Sequence, residues 1–284
     1  MRVFIAGCRG MLGSDLMARF SRDHRVLGGD LPDMDITDPG QCRARIGGFQ
    51  PDVVINAAAL TRVDYCEAHE GEAFEVNGHG PRNLARAAAS AGAFFVHYST
   101  DYVFDGLKRE AYLEEDDPNP RSVYGRSKLA GEELVRQNCP HHLIIRTSWL
   151  FGRNGPNFVR TIFEAARRGE PLRVVHDQRG SPTYSADVAS HTLRMIEAGC
   201  RLTYHLTNRG SCTWYELAVT VLEYSGMKDV PVTPVSTLEF PRPAPRPANS
   251  VLANAHLQRD GLPLMRPWKE AVKDYIENHL LPDL

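Results

Sequence analysis

The chain has no block of like charge: 33 Lys and Arg face 35 Asp and Glu, a net of −2 at pH 7 over 284 residues. Neither a polyanion nor an anionic membrane surface finds a basic patch to bind, so no nucleic-acid and no membrane partner is expected. Long apolar runs are missing too, and Arg2-Val3-Phe4-Ile5-Ala6 enters a strand pattern directly, without a charged leader and cleavage site. Both features predict a cytoplasmic protein. Cysteine is sparse, six residues at 8, 42, 66, 139, 200 and 212, with no C-x-x-C and no regular framework, which predicts reduced and mostly buried thiols. His141-His142 lacks the spacing and the Cys company of a zinc site and reads as a loop pair, so no metal is expected. The length suffices for one large or two modest domains.

What is present begins at the first strand. Val3-Phe4-Ile5-Ala6 runs into Gly7-Cys8-Arg9-Gly10-Met11-Leu12-Gly13 and then a helical pattern through Leu16, Met17 and Phe20. Strand, glycine turn and helix is the order in which a helix N-terminus presents bare N–H groups to a pyrophosphate. A tight turn without ligand is the plainer alternative; three glycines three apart directly after a strand favour the nucleotide. His24-Arg25-Val26-Leu27-Gly28 predicts a second strand ending at Gly29-Asp30, where an acidic side chain suits an adenosine ribose and so NAD. Arg9 inside the glycine loop suits a 2′-phosphate instead, which leaves NADPH and NADH both open. Asp38 and Pro39 open a helix to about Ile46 as N-cap and first helical residue.

Further along, Asp52-Val53-Val54-Ile55-Asn56 predicts a buried strand running into Ala57-Ala58-Ala59, small side chains that let a ring or a phosphate approach the backbone. Residues 63–91 are helix-forming, with Gly78, Gly80 and Pro81 interrupting the pattern near Asn77. Ala93–Tyr98 is another strand, ending in Ser99-Thr100-Asp101; beyond the carboxyl end of a doubly wound sheet strand is where ligands sit. Residues 105–120, with Glu114-Glu115-Asp116-Asp117, form an acidic loop, solvated or a rim over the site. His142–Arg146 is a strand leading to Thr147-Ser148-Trp149.

The stretch Tyr124-Gly125-Arg126-Ser127-Lys128 lies on a predicted helix over 122–138, so Tyr124 and Lys128 share one face. A phenol beside an ammonium is an acid–base device. The cation stabilises the phenolate and lowers a pKa that is ~10 in a free Tyr. On a surface helix the same pair is only solvated; its weight comes from the glycine loop and the Ser-Thr-Asp strand end.

Alternating strands and helices through residue 150 predict an α/β fold, a doubly wound parallel sheet of Rossmann type. The expected organisation is a dinucleotide-binding domain over 1–150, with a returning segment near 186–208. A smaller C-terminal substrate-binding domain then covers 151–284. Pro241-Arg242-Pro243-Ala244-Pro245-Arg246-Pro247 is a stiff extended segment, a brace or an arginine grip on a diphosphate.

With the glycine loop, Asn56-Ala57-Ala58-Ala59, Ser99-Thr100-Asp101-Tyr102-Val103-Phe104 and Tyr124–Lys128 in order, the chain resembles the extended short-chain dehydrogenase/reductases, and among them the nucleotide-sugar 4-keto reductases. The likeness continues through Arg146-Thr147-Ser148-Trp149-Leu150-Phe151-Gly152, Asp177-Gln178-Arg179-Gly180-Ser181-Pro182-Thr183, Arg246-Pro247-Ala248-Asn249-Ser250 and Arg266-Pro267-Trp268-Lys269, nearly the whole chain.

The resemblance implies reduction of the C4 ketone of a dTDP-sugar, dTDP-4-dehydro-L-rhamnose, to dTDP-L-rhamnose by hydride from NADPH or NADH. Tyr124 would donate the proton, Lys128 would hold the nicotinamide ribose, and Thr100 would hydrogen-bond the ketone. Thr100, Asp101 and Trp149 would touch the sugar and Arg246 the rest of the substrate. Gly7, Gly10, Met11, Leu12, Gly13, Asp30, Asp35, Ile36, Ala57, Ala58, Ala59 and Tyr98 would line the cofactor. A monomer or homodimer is expected. The rival readings are another nucleotide-sugar reductase, epimerase or dehydratase, or a non-catalytic NADP-binding subunit resembling the regulatory subunit of methionine adenosyltransferase. Tyr102, where such dehydratases carry an acidic residue, speaks against elimination chemistry.

Overall fold

The computed structural model describes residues 1–282. Six strands form its central sheet: β1 (Arg2–Ala6), β2 (Arg25–Gly29), β3 (Val53–Asn56), β4 (Phe94–Thr100), β5 (His142–Thr147) and β6 (Leu202–His205). All pairings are parallel, in the order β2-β1-β3-β4-β5-β6. Parallel neighbours need crossovers, and helices on both faces supply them. Successive side chains of β1 therefore feed opposite cores. Val3 and Ile5 pack with Leu16, Phe20 and Val188, while Phe4 packs with Ile46, Leu84 and Val135. The doubly wound expectation agrees with this sheet.

From β1 the chain turns to β2 on one side and then to β3 on the other. That reversal opens a crevice at the carboxyl ends, between Gly7 and Ala57. The two loops are in contact: a Cβ on Gly7, whose φ is +75°, would lie 2.5 Å from the Ala58 nitrogen. Only glycine fits there.

A second core gathers Phe163, Leu217, Trp268 and Tyr275 from the helices Phe158–Arg167, Trp214–Tyr224 and Trp268–Tyr275, with Phe151 from the short strand Leu150–Phe151. Beside it, Leu172–Val175 pairs in parallel with Val232–Val235. Between these segments the chain re-enters the first lobe, where the helix Ser185–Glu197 packs on Met11–Phe20 and β6 extends the sheet beyond β5.

Three expectations need correction. Glu114 of the acidic loop is buried, its Oε1 accepting from the backbone N–H of His205 and of His256, each at 3.1 Å. Tyr112 N–H donates to Val251 O at 2.8 Å, so the loop is fastened to the β6 side of the sheet. His142, read both as half of a loop pair and as the start of a strand, is the buried first residue of β5, its Nδ1 2.7 Å from the Cys139 carbonyl. The helix begun by Asp38, which accepts from Gly40 and Gln41 N–H, runs past Ile46 to Phe49 and closes on a left-handed Gln50.

Candidate functional site

The site is built where β4 ends. Thr100 Oγ1 accepts the Tyr102 N–H at 3.2 Å, which opens a short turn over Asp101–Val103. Across from it, Ser122 caps the helix Val123–Asn138 by accepting the Gly125 N–H at 3.1 Å. A Cβ at Gly125 would lie 2.2 Å from the Tyr102 carbonyl oxygen. Glycine thus lets this helix lie directly on the turn, which brings Tyr124 to the same cavity wall as Thr100. Tyr102 packs edge-on to Tyr124, ring centroids 5.5 Å apart.

Tyr124 and Lys128 share one buried helix face, but the electrostatics differ from the expected lowering of the phenol. Burial pushes Tyr124 above its ordinary value; the Thr100 hydroxyl pulls against this, while nearby Asp101 adds to it. Lys128 Nζ donates to the Tyr98 carbonyl at 2.6 Å. Burial lowers Lys128 to about 8, with Glu132 one turn along the helix opposing the shift. Glu132 itself is held at about 2: burial works to raise it, and the buried Arg146 guanidinium wins, donating at 2.9 and 2.8 Å with Arg136 adding a bond at 2.7 Å. A carboxylate one turn from Lys128 thus stays ionised near the ammonium.

A cavity of about 430 Å³ opens over these groups. Gly10, Met11, Leu12 and Ala57-Ala58-Ala59 form one end, Thr100, Asp101, Tyr124 and Lys128 the floor, and Trp149 with Trp214 the far wall. The helix Met11–Phe20 starts at Gly10 without any side-chain cap, so its first N–H groups face this end bare. Trp149 has φ +46°, a backbone conformation costly for a bulky residue. Its ring stacks on Trp214 with centroids 3.4 Å apart.

Several expected residues lie outside the cavity. Gly7 and Gly13 serve the turn itself: a Cβ on Gly13 would lie 1.9 Å from the Gly7 carbonyl oxygen. Asp30 stands at the tip of β2, its carboxylate accepting from Arg9 N–H at 2.8 Å and its own neighbour Leu31 N–H at 2.9 Å. Arg9 folds over the same tip, 2.6 Å from Asp33. Asp35 Oδ1 is taken up by the Thr37 N–H and hydroxyl, and Ile36 is buried against Gly80, so neither side chain faces the cavity. Tyr98 contributes main chain only, because its phenol points through the sheet to Thr192 Oγ1 at 2.6 Å. Arg246 lies beyond Tyr102, paired with Asp64 at 2.9 Å, on a neighbouring cleft of about 210 Å³.

Sequence reasoning missed Trp214, Thr61, Val63 and Pro156 among the lining residues, and Glu132 behind Lys128. Glu132 had a signal, four residues after Lys128 on the same helix. Trp214 had none, since it follows Trp149 at a distance only the second lobe can close.

Over residues 1–281 the chain matches the RmlD substrate binding domain family. It is 41% identical over 278 residues to the dTDP-4-dehydrorhamnose reductase of Mycobacterium tuberculosis (strain ATCC 25618 / H37Rv), covering 95% of this chain and 91% of that protein. Among solved structures, a dTDP-4-dehydrorhamnose reductase from Clostridium acetobutylicum ATCC 824 superposes with a TM-score of 0.95 at 42% identity, over 99% of this chain and 100% of that one. The dTDP-4-dehydrorhamnose reductase of Bacillus anthracis str. Ames, solved in complex with NADP, gives 0.95 at 38% identity, over 97% and 98%. Matched along its length in sequence and in backbone, the chain belongs to the RmlD substrate binding domain family.

Proposed function

We propose that this chain reduces the C4 ketone of dTDP-4-dehydro-L-rhamnose to dTDP-L-rhamnose with NADPH or NADH. The observation that carries the reading is the convergence of Thr100, Tyr124 and Lys128 on one cavity floor, at the foot of an uncapped helix N-terminus. The residues present fit a dinucleotide: bare N–H groups at Met11 and Leu12 suit a pyrophosphate, and Gly10, which lines the cavity, carries no side chain to block its approach. Arg9 and Asp30, side by side at the tip of β2, would meet the adenosine end. The nicotinamide, when bound, supplies the hydride.

The protein's own part is positioning and proton supply. Tyr124 gives its proton to the C4 oxygen as negative charge builds there, and Lys128, kept cationic by Glu132, stabilises the phenolate left behind. Trp149, held by Trp214, gives the sugar a flat apolar wall, and the second lobe that supplies Trp214 is the substrate-binding part. Tyr102 offers a ring rather than a carboxylate, so the site lacks a base for elimination at that position.

The test follows loss of the reduced-nicotinamide absorbance with substrate generated in situ, with NADPH and NADH separately. Wild-type turnover that drops about 10²- to 10⁴-fold in Tyr124→Phe, with nucleotide binding retained, is the expected result. Nucleotide binding without turnover by the wild type would reject this substrate.

A further inference from the structure

A threonine hydroxyl has one proton to give and two lone pairs to receive. At Thr100 the proton is already spent: Oγ1 accepts the Tyr102 N–H at 3.2 Å and donates to Asp101 Oδ1 at 2.9 Å, beside the Tyr124 phenol. While Asp101 takes that proton, Thr100 has none left for an oxygen in the cavity. The arrangement inverts when Asp101 carries a proton of its own. The acid then donates to Thr100 Oγ1, and the Thr100 proton turns inward.

The surroundings of Asp101 suit the acid better than the carboxylate. Asp101 is 2% exposed and lines the same cavity as Tyr124, and its Oδ2 has no hydrogen-bond partner. The one further hydroxyl beside it, Ser250, lies between Asp101 and the Arg179 carbonyl, 3.5 Å from the latter. Among the described residues no cation forms an ion pair with Asp101. The ionisable groups facing it are the Tyr102 and Tyr124 phenols, with the Arg246–Asp64 pair beyond Tyr102. A buried carboxylate needs donors or a cation to offset its desolvation, and a neutral acid does not.

We propose that Asp101 works as a neutral carboxylic acid that turns Thr100 from a hydrogen-bond acceptor into a donor toward the reacting oxygen. Asp101 is then the positioning residue behind Thr100, and no proton leaves it in this role. The proposal rests on the reductase reading above. Burial pushes Asp101 up to about 6, opposed by the Ser250 and Thr100 hydroxyls, which agrees in direction. The donor form is complete below that value and is lost as pH rises through it. Carboxylic acids held neutral in apolar sites so that they can donate are a known device in enzymes.

The experiment measures kcat/KM from pH 5 to 9 at saturating NADPH for the wild type, Asp101→Asn, Thr100→Val and the double variant, with NADPH fluorescence titration as a check on folding. The wild type is expected to lose activity toward higher pH as Asp101 ionises. Asp101→Asn keeps a donor at every pH, so its alkaline limb moves out to that of Lys128. In the Thr100→Val background the limb is absent, and Asp101→Asn adds nothing to it. An unchanged limb in Asp101→Asn, with only a raised KM, overturns the proposal and leaves Asp101 as a sugar contact. Infrared difference spectra provide a readout independent of turnover. A carboxylic-acid C=O band that titrates near pH 6 and vanishes in Asp101→Asn supports the proposal, and absence of that band overturns it. An enzyme that shows the band but no turnover rejects the reductase reading and leaves the protonation state standing.

Discussion

Gly180 shows how one missing side chain sets the shape of the site. A Cβ there would come within 2.3 Å of Trp149 Cε2, so the Trp149 ring keeps its place only because residue 180 has none. Gly180→Ala is therefore expected to push the ring off its stack with Trp214 and lower kcat/KM for the sugar nucleotide by about 10- to 100-fold, since misplacing a reactant by an ångström costs that much. NADPH affinity, read by fluorescence titration, should stay within about twofold, because Gly180 is remote from the glycine loop. At this scale the sequence was legible where placement follows local spacing. Tyr124 and Lys128 sit one helical turn apart, and the glycine loop reads directly. It was illegible where burial or distance decides. The Tyr98 phenol could point to either face of the sheet, the Ile36 side chain looked available until Gly80 closed over it, and Trp214 meets Trp149 through tertiary structure alone.

Among the elements, the helix Val123–Asn138 depends on its first turn. Ser122 is 1% exposed and its hydroxyl caps that helix at the Gly125 N–H, beside Glu67, whose carboxylate accepts the Val123 N–H at 2.8 Å. Ser122→Ala is expected to cost about 1 kcal/mol and lower the melting temperature by roughly 2 °C. The capped turn also carries Tyr124, so kcat should fall more than nucleotide affinity does; a melt shift with unchanged kcat would show that the cap acts on stability alone. Elements were the most legible scale. Ser122, Asp38 and Pro39 announced their helix starts, and the apolar runs announced β1 to β5. The acidic loop misled because charge is a poor guide to exposure when two backbone N–H groups wait for a carboxylate, as they do at Glu114.

For the whole molecule, buried histidines set the response to acid. Burial holds His97 well below its ordinary value and His205 at about 3, with Arg146 adding to the shift at His205. Each takes up a proton on unfolding at pH values between its folded pKa and about 6.5. Stability is thus present above 6.5 and falls as pH drops below it; Glu132, held at about 2, adds to the loss below about 4.5. Asp101 works the other way, because its raised value favours the folded state in acid, as do the raised Asp15 and His256, but His142 and His191 are lowered by burial alongside His97 and His205. Urea titrations at pH 7.5, 6 and 5 should show a midpoint that declines stepwise, and a midpoint rising toward pH 5 would contradict this. The return of the chain to its first sheet also governs how the protein is made. A ribosome that has delivered the first 150 residues has supplied β1 to β5 but not β6, so β5 stands as an unpaired edge. At about 5–20 residues per second, several seconds pass before Leu202–His205 emerges to cover it. Through that interval the nascent sheet carries an open flank at β5, the kind of edge on which strands mispair.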